Sequence, residues 1–254
     1  MNQQAIGVDV GGSSIKFAPV DVRSGRLLLP LDSVVTPHPA TARQLIDSIA
    51  TLAQPLASGA PLGVALPSVI RNGIAYTAAN LDATLIGADI QRQLQERVGR
   101  PVTCINDADA AGLAEMHFGA ARGARGTVMM LTFGTGIGSA LFTDGHLVPN
   151  TELGHLEVGG HEAEHRASAR VRTEEGLDWA QWSARVNEYL AVIHGLFWPE
   201  LIVIGGGVSG NYDQFGPLLR SPAHLRPALL GAAAGTVGAA LAASGFVQQS
   251  MVGA

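Results

Sequence analysis

The sequence has a single cysteine, Cys104, among 254 residues, which excludes an internal disulfide. We expect Cys104 to act as a small buried hydrophobic residue. Lysine is equally scarce, because Lys16 is the only one and the other fifteen basic residues are arginines. A compact ammonium is useful in a phosphate-binding loop, although a genomic preference for arginine explains the same composition.

Long apolar runs and strong charge are also missing. No stretch reaches the roughly 18 apolar residues of a membrane-spanning helix, and the N-terminal segment lacks the basic region of a signal peptide. The formal net charge of −5 argues against nucleic-acid binding and against a polybasic membrane contact. With 47% apolar and 15% charged residues, we expect a folded, soluble, cytoplasmic protein.

Glycine is abundant, with 32 residues, and it concentrates in loops. The first such loop follows an apolar strand and reads Asp9-Val10-Gly11-Gly12-Ser13-Ser14-Ile15-Lys16. Glycines in a strand-to-strand turn let backbone N–H groups approach phosphate oxygens. Lys16 would add positive charge, and Asp9 can hold hydrated Mg²⁺. An ordinary glycine-rich hairpin fits the same pattern.

A second loop of the same type reads Leu131-Thr132-Phe133-Gly134-Thr135-Gly136-Ile137-Gly138. A shift of 123 positions places Gly11 on Gly134 and Asp21 on Asp144, while Ile15 falls one residue from Ile137. Two matched loops predict a duplicated chain whose lobes clamp a phosphate chain. Gly205-Gly206-Gly207 follows a third strand and predicts either a surface for a purine ring or a tight turn.

Each half of the sequence predicts the order β-β-β-α-β-α, which indicates an α/β fold of two related lobes with a central cleft. We expect the N-terminal lobe to cover residues 1–107 and the C-terminal lobe to cover residues 108–254. A C-terminal helix at about 240–254 is expected to pack back on the first lobe. Helices are also predicted over Thr41–Ala57 and Leu177–Trp198.

Asn106-Asp107 ends a predicted strand and opens a helix. A carboxylate there can accept the proton of a hydroxyl that attacks phosphorus, and Asn106 can bond neighbouring hydroxyls. Helix capping by Asp107 or Asp109 is the alternative. Asn80 is a further candidate polar contact.

Glu152 and His155 flank Gly154, a spacing suited to the recognition of vicinal diols, although a lone histidine is usually structural. Nearby, His161-Glu162-Ala163-Glu164-His165 matches the H-E-x-x-H zinc pattern literally. That pattern requires a helix and a third ligand. Since Gly159-Gly160 immediately precede it, we predict no zinc here.

Taken together, these segments resemble the ROK family of sugar kinases and regulators, and within it the branch of polyphosphate glucokinases and polyphosphate/ATP glucomannokinases. The resemblance extends over nearly the whole chain. It is carried by the segments DVGGSSIK, TAANLD, NDADAAGLAEMHFGAARG, LTFGTGIGSALFTDG, LVPNTELGHLE, RASARVR and IGGGVS. It implies a two-lobe, actin-like (ribonuclease H-like) ATPase fold that is usually a homodimer.

The resemblance also implies roles for individual residues. Asp107 would be the catalytic base, and the sugar would be held by Asn80, Asn106, Asp107, Glu152 and His155, with Glu164 added as an acidic position typical of the branch. The residues expected to bind phosphate or the donor are Asp9, Gly11, Gly12, Ser13, Ser14, Lys16, Gly134, Thr135, Gly136, Gly138, Gly205, Gly206 and Gly207.

The chain departs from the family pattern in two respects. Most ROK proteins have a cysteine-rich zinc site after the glycine-histidine pair, but no cysteine follows Cys104, so His155 is free to face the sugar. The first loop also begins nine residues from Met1, which leaves no room for the winged helix of ROK repressors. Leu66-Pro67-Ser68-Val69-Ile70 resembles the glucomannokinase form and leaves the choice between glucose and mannose open.

These features predict a polyphosphate-dependent glucokinase that uses Mg²⁺ and makes glucose 6-phosphate. The alternatives are an ATP-dependent hexokinase or amino-sugar kinase of the same family and, from another class, a sugar-sensing binding protein without catalysis. A long polyanion needs several cations. The candidates are Arg122, Arg125, Arg166, Arg170 and Arg172, each of which also fits an ordinary surface arginine.

Overall fold

The computed structural model describes residues 3–56, 59–79 and 81–245, and the chain divides into two compact units. The first unit runs to Ala114 and includes the chain from Ala233 onward, and the second comprises Glu115–Ala232. The boundary therefore falls inside a helix, several residues beyond the expected division at 107/108.

The described residues form fifteen strands and eight α-helices. The strands are β1 (Gln4–Val10), β2 (Ser14–Asp21), β3 (Arg26–Leu27), β4 (Asp32–Val35), β5 (Leu62–Leu66), β6 (Ile70–Arg71), β7 (Ile74–Ala75), β8 (Val102–Asn106), β9 (Thr127–Phe133), β10 (Ile137–Thr143), β11 (His146–Val148), β12 (Glu157–Val158), β13 (His161–Glu162), β14 (Leu201–Gly205) and β15 (His224–Pro227). The helices are α1 (Ala42–Ala53), α2 (Ile90–Val98), α3 (Asp107–Phe118), α4 (Glu164–Ala167), α5 (Ala169–Glu174), α6 (Trp179–Phe197), α7 (Tyr212–Phe215) and α8 (Ala234–Ala243).

The two main sheets have the same topology. The first has the order β3-β2-β1-β5-β8, with β4 also paired to β2, and the second has the order β11-β10-β9-β14-β15. In each sheet the first strand of the unit, β1 or β9, is central. It pairs antiparallel with the second strand and parallel with the strand that follows a helix, β5 or β14. The predicted duplication of an α/β lobe is confirmed, although β15 was not predicted and β4 has no equivalent in the second sheet.

The cores of the two units differ in composition. In the first unit, aliphatic residues of β1 and β5 pack with the inner face of α1, which includes Leu45 and Ile49. In the second unit, aromatic rings join the aliphatic residues, since Trp182 of α6 makes edge-on contacts with Phe133 and Phe215. Both cores bury the apolar runs from which the strands were predicted.

Helix α8 lies directly on the first sheet. A Cβ atom at Gly7 of β1 or Gly63 of β5 would collide with the backbone carbonyl of Thr236 or Ala239, so these strands need glycine where the helix crosses them. The helix spans Ala234–Ala243, and its small residues permit this close approach. Of the expected range 240–254, residues 246–254 lie outside the described part of the chain.

The predicted ends of two other helices need adjustment. Helix α1 has Thr41 as N-cap in a capping box, but it ends at Ala53 instead of Ala57, because Pro55 cannot donate the next backbone hydrogen bond. Helix α6 is capped by Asp178 and ends at Phe197, within two residues of the prediction. Among the described residues, no helix is both long enough and apolar enough to cross a membrane.

Candidate active site

The first glycine loop carries a charged pair at its base. The antiparallel ladder of β1 and β2 places Asp9 opposite Lys16, and the Nζ atom of Lys16 lies 3.6 Å from Oδ2 of Asp9. Burial raises the pKa of the Asp9 carboxyl, and Lys16 acts in the opposite direction. A mostly buried carboxylate with one cationic partner fits a hydrated Mg²⁺, which prefers oxygen ligands and retains its waters.

The loop above this pair is closed by backbone bonds and by one threonine. Gly11 N–H donates to the carbonyl of Ser14 at 2.9 Å, and the Thr36 hydroxyl donates to the carbonyl of Gly11 at 2.6 Å. Gly12 and Ser13 remain exposed at the tip. Sequence reasoning missed Thr36, which lies 25 residues from Gly11 and carries no local signal of this contact.

The second loop is closed in the same way but is supported by helices. Gly134 N–H donates to the carbonyl of Gly136 at 2.9 Å. The Glu164 carboxylate accepts the Ile137 N–H at 3.2 Å, and the backbone N–H of Arg170 donates to Gly134 at 3.1 Å. A Cβ atom at Gly136 would collide with the Glu164 carboxylate. Glu164, predicted as a sugar contact, therefore lies against the second loop.

The glycine triplet Gly205-Gly206-Gly207 packs against β9, the strand that leads into this loop. Gly206 has φ of 83°, and a Cβ atom there would strike the backbone of Phe133, the residue before the loop. Gly207 begins a short 3-10 turn over Gly207–Asn211, and an added Cβ would meet no atom within 4 Å. The geometry is that of the predicted tight turn, with open space only beside Gly207.

Asn106 and Asp107 join β8 to α3 in the first unit. The Asn106 Oδ1 atom accepts the N–H groups of Ala108 at 2.9 Å and Asp109 at 3.0 Å, which are capping bonds. The Asp107 Oδ1 atom also accepts the Ala108 N–H, at 2.8 Å, so Asn106 and Asp107 share the capping of α3. Asp107 places a half-buried carboxylate at the N-terminus of α3.

The segment that contains Glu152 and His155 is fixed to β10. The buried Ser139 hydroxyl donates to the carbonyl of Thr151 at 2.6 Å and accepts the Leu153 N–H at 3.0 Å. A Cβ atom at Gly154 would collide with the Ile137 carbonyl. The glycine between the two predicted sugar contacts is therefore required by packing against the strand that follows the second loop.

Four titratable side chains gather here in the second unit. His155 Nδ1 lies 2.9 Å from Glu162 Oε2, and His155 Nε2 lies 4.0 Å from Glu152 Oε2. Burial raises the pKa of Glu152, and Glu164 adds to this effect. The hydrogen bond that His155 donates to Glu162 raises the pKa of His155, and the same bond lowers the pKa of Glu162. Glu162 was noticed in the sequence only as part of the zinc-like motif.

The remaining sequence candidates have separate outcomes. His161 and Glu162 lie on β13 while α4 begins at Glu164, so the zinc-like motif is divided between a strand and a helix. Asn80 lies outside the described residues.

The five candidate arginines also differ from one another. Arg166 pairs with Glu188 at 2.6 Å, and Arg172 stacks 3.5 Å from the centre of the Trp179 ring. Within the described part of the chain, four of the five make no ion pair: Arg122, Arg125, Arg170 and Arg172.

Comparison with known proteins gives a consistent result. The ROK family model matches residues 5–168. The polyphosphate glucokinase of Mycobacterium tuberculosis is 44% identical over 94% of this chain and 91% of its own. The inorganic polyphosphate/ATP-glucomannokinase of Arthrobacter sp. strain KM has a TM-score of 0.91 and 44% identity, covering 98% of this chain and all of its own. A ROK family glucokinase from Streptomyces griseus, in complex with glucose and AMPPNP, has a TM-score of 0.81 and 25% identity, covering 95% of this chain and 99% of its own.

Proposed function

Because the chain belongs to the ROK family and has its two-lobe, actin-like ATPase fold, we propose that it is a polyphosphate-dependent glucokinase. It would transfer a phosphoryl group from inorganic polyphosphate to the 6-hydroxyl of glucose. The similarity to a polyphosphate glucokinase along nearly the whole of both chains carries this proposal. The glucomannokinase similarity supports mannose as a second acceptor and ATP as a second donor.

Asp107 is the proposed base. Its carboxylate takes the proton of the 6-hydroxyl while that oxygen attacks the terminal phosphorus. The bond between this phosphorus and the next bridging oxygen breaks, giving glucose 6-phosphate and a polyphosphate one unit shorter. The half-buried position of Asp107 at the start of α3, beside the capping Asn106, supports this role.

The donor would be held by backbone N–H groups and few charges. In the first unit these are the exposed tip residues Gly12 and Ser13 together with Lys16, and in the second unit they come from the Gly134–Gly136 turn. Hydrated Mg²⁺ beside Asp9 would neutralise phosphate oxygens. The backbone N–H of Arg170 donates to Gly134 of the second loop. Arg170 is therefore the candidate arginine best placed to contact further phosphate units.

The sugar would be bound by carboxylate and imidazole groups of the second unit. Glu152, His155 and Glu164 lie together there, and their hydrogen-bonding atoms suit neighbouring hydroxyls. From the first unit we assign Asn106 as the residue that orients Asp107. We also propose a cytoplasmic homodimer, as the family resemblance implies.

A matrix of donors against acceptors tests the proposal. Purified protein is supplied with polyphosphate or ATP, each with glucose, mannose or an amino sugar, in the presence of Mg²⁺. We expect turnover with polyphosphate and glucose. Turnover with ATP alone would identify the alternative hexokinase, and sugar binding without any turnover would identify a sugar sensor.

Replacement of the base is the sharper test. Asp107→Asn keeps an oxygen for the Ala108 N–H but cannot take a proton, so we expect kcat to fall by about 10²–10⁴ with little change in glucose affinity. Asp89→Asn is the matched control, because Asp89 caps α2 in the same unit and asparagine caps equally well. An unchanged kcat in Asp107→Asn would show that Asp107 is not the base.

A further inference from the structure

His155 is held by a partner that the sugar-binding role does not require. Its Nδ1 atom lies 2.9 Å from the Glu162 carboxylate, while Nε2 points to the side of Glu152 at 4.0 Å. An ionised carboxylate only accepts hydrogen bonds, so this contact places a proton on Nδ1. In the neutral ring, Nε2 then carries the free lone pair, since the bond at one nitrogen sets the state of the other.

The backbone that carries Glu162 is a tight hairpin. Strands β12 and β13 pair Glu157 with Glu162 and Val158 with His161, and the Ala163 N–H donates to the carbonyl of Leu156 at 2.8 Å. The hairpin returns the chain to His155 seven residues later. Glu162 is thus delivered to the ring from a paired strand, and this limits the positions that its carboxylate can take.

We infer that Glu162 is a positioning residue, which holds the His155 ring and its tautomer so that Nε2 accepts a hydrogen bond from a sugar hydroxyl. This inference rests on the proposed sugar-binding role of His155. The chain lacks the cysteines of the zinc site that most ROK proteins have after this histidine. The bond to Glu162 would hold the ring instead. Glu162 need not touch the sugar to have this effect.

The surroundings of the ring define what a titration should show. His155 faces Glu152 from its own turn, Glu162 from β13 and Glu164 from α4. A second imidazole, His165, lies 4.0 Å from the Glu162 carboxylate and 3.8 Å from the Glu164 carboxylate. Because the folded-state pKa of His155 is raised, the charged pair stabilises the fold below the ordinary value of 6.5. That contribution is lost as the pH rises through the raised pKa.

The test compares Glu162→Ala and Glu162→Gln with Glu157→Gln in the full chain. Glu157 is the matched control, because it is an exposed carboxylate directly across the same hairpin. Glu162→Ala is expected to raise the KM for glucose about tenfold, the effect of losing a charge-assisted hydrogen bond, with a much smaller change in kcat. Glu162→Gln retains an oxygen acceptor and should recover part of this loss, and Glu157→Gln should behave as wild type.

Nitrogen-15 NMR of the free protein reads the ring directly. We expect the proton of neutral His155 on Nδ1 in the wild type, loss of that preference in Glu162→Ala, and a lower His155 pKa in that variant. A proton on Nε2 in the wild type, or an unchanged glucose KM in Glu162→Ala, would overturn the inference. So would a stoichiometric metal ion that is bound to His155 and lost in Glu162→Ala, because the ring would then be held by the metal.

The two proposals fail in distinguishable ways. A wild-type protein that neither phosphorylates nor binds glucose would refute the proposed function and the sugar part of this inference. The NMR measurement needs no sugar, so it still decides whether Glu162 sets the tautomer of His155.

Discussion

The two glycine hairpins share a backbone and differ in charge. The last paired residues are Val10 and Ile15 in the first hairpin and Phe133 and Ile137 in the second. Four residues connect the strands in the first and three in the second, which explains why Ile15 falls one residue from Ile137 in the internal repeat. Equivalent strands are therefore joined by turns of different length.

Only the first hairpin has a charged pair at this position of its strand ladder. Asp9 faces Lys16 in the first hairpin, whereas Thr132 faces Gly138 in the second. The second loop instead receives a carboxylate from Glu164 of α4 and a backbone donor from Arg170 of α5. The comparison indicates that the first hairpin supplies its own electrostatics, while the second depends on its neighbours for support.

Of the substitutions that test this comparison, removal of the Lys16 charge should have the largest effect on activity. Lys16→Met removes the only charge that the first loop can offer to phosphate, and we expect kcat/KM for the donor to fall by about 10²–10³. Arg43→Met, on the exposed face of α1, is the control for the loss of one positive charge. A donor kcat/KM within a factor of three of wild type would show that the first loop does not use its charge on phosphate.

Support of the second hairpin can be tested through stability. In Gly154→Ala the new Cβ meets the Ile137 carbonyl, and backbone cannot move away cheaply, so we expect the free energy of unfolding to fall by about 1–3 kcal/mol. Gly195→Ala is the control, because this exposed glycine of α6 has open space and alanine should stabilise it by about 0.5–1 kcal/mol. Urea unfolding measures both, and equal stability of Gly154→Ala and wild type would contradict the packing argument.

The sequence allowed the longer strands, the duplication and both loops to be predicted, because each loop follows an apolar run that ends in glycine. The short strands β4, β6, β7, β12, β13 and β15 were not predicted. The long-range contacts could not be predicted. Thr36 reaches the first loop from 25 residues away, and Glu162 reaches His155 only because a two-residue hairpin reverses the chain. The capping bonds that Asn106 adds to that of Asp107 also depend on where β8 ends, which hydrophobic patterns fix only to within a residue or two.

The smallest expected effect comes from Gly136, where the second loop meets Glu164. In Gly136→Ala the new Cβ would displace the end of a flexible side chain, so Glu164 can swing away, but it then gives up its bond to the Ile137 N–H. Loss of that one bond should lower the free energy of unfolding by about 1 kcal/mol. Gly134→Ala is the neighbouring control, since its Cβ would meet no atom within 4 Å. If both variants unfold at the same urea concentration, Glu164 does not support the second loop, and the contrast between a hairpin with its own charged pair and a hairpin that receives a carboxylate from a helix would fail.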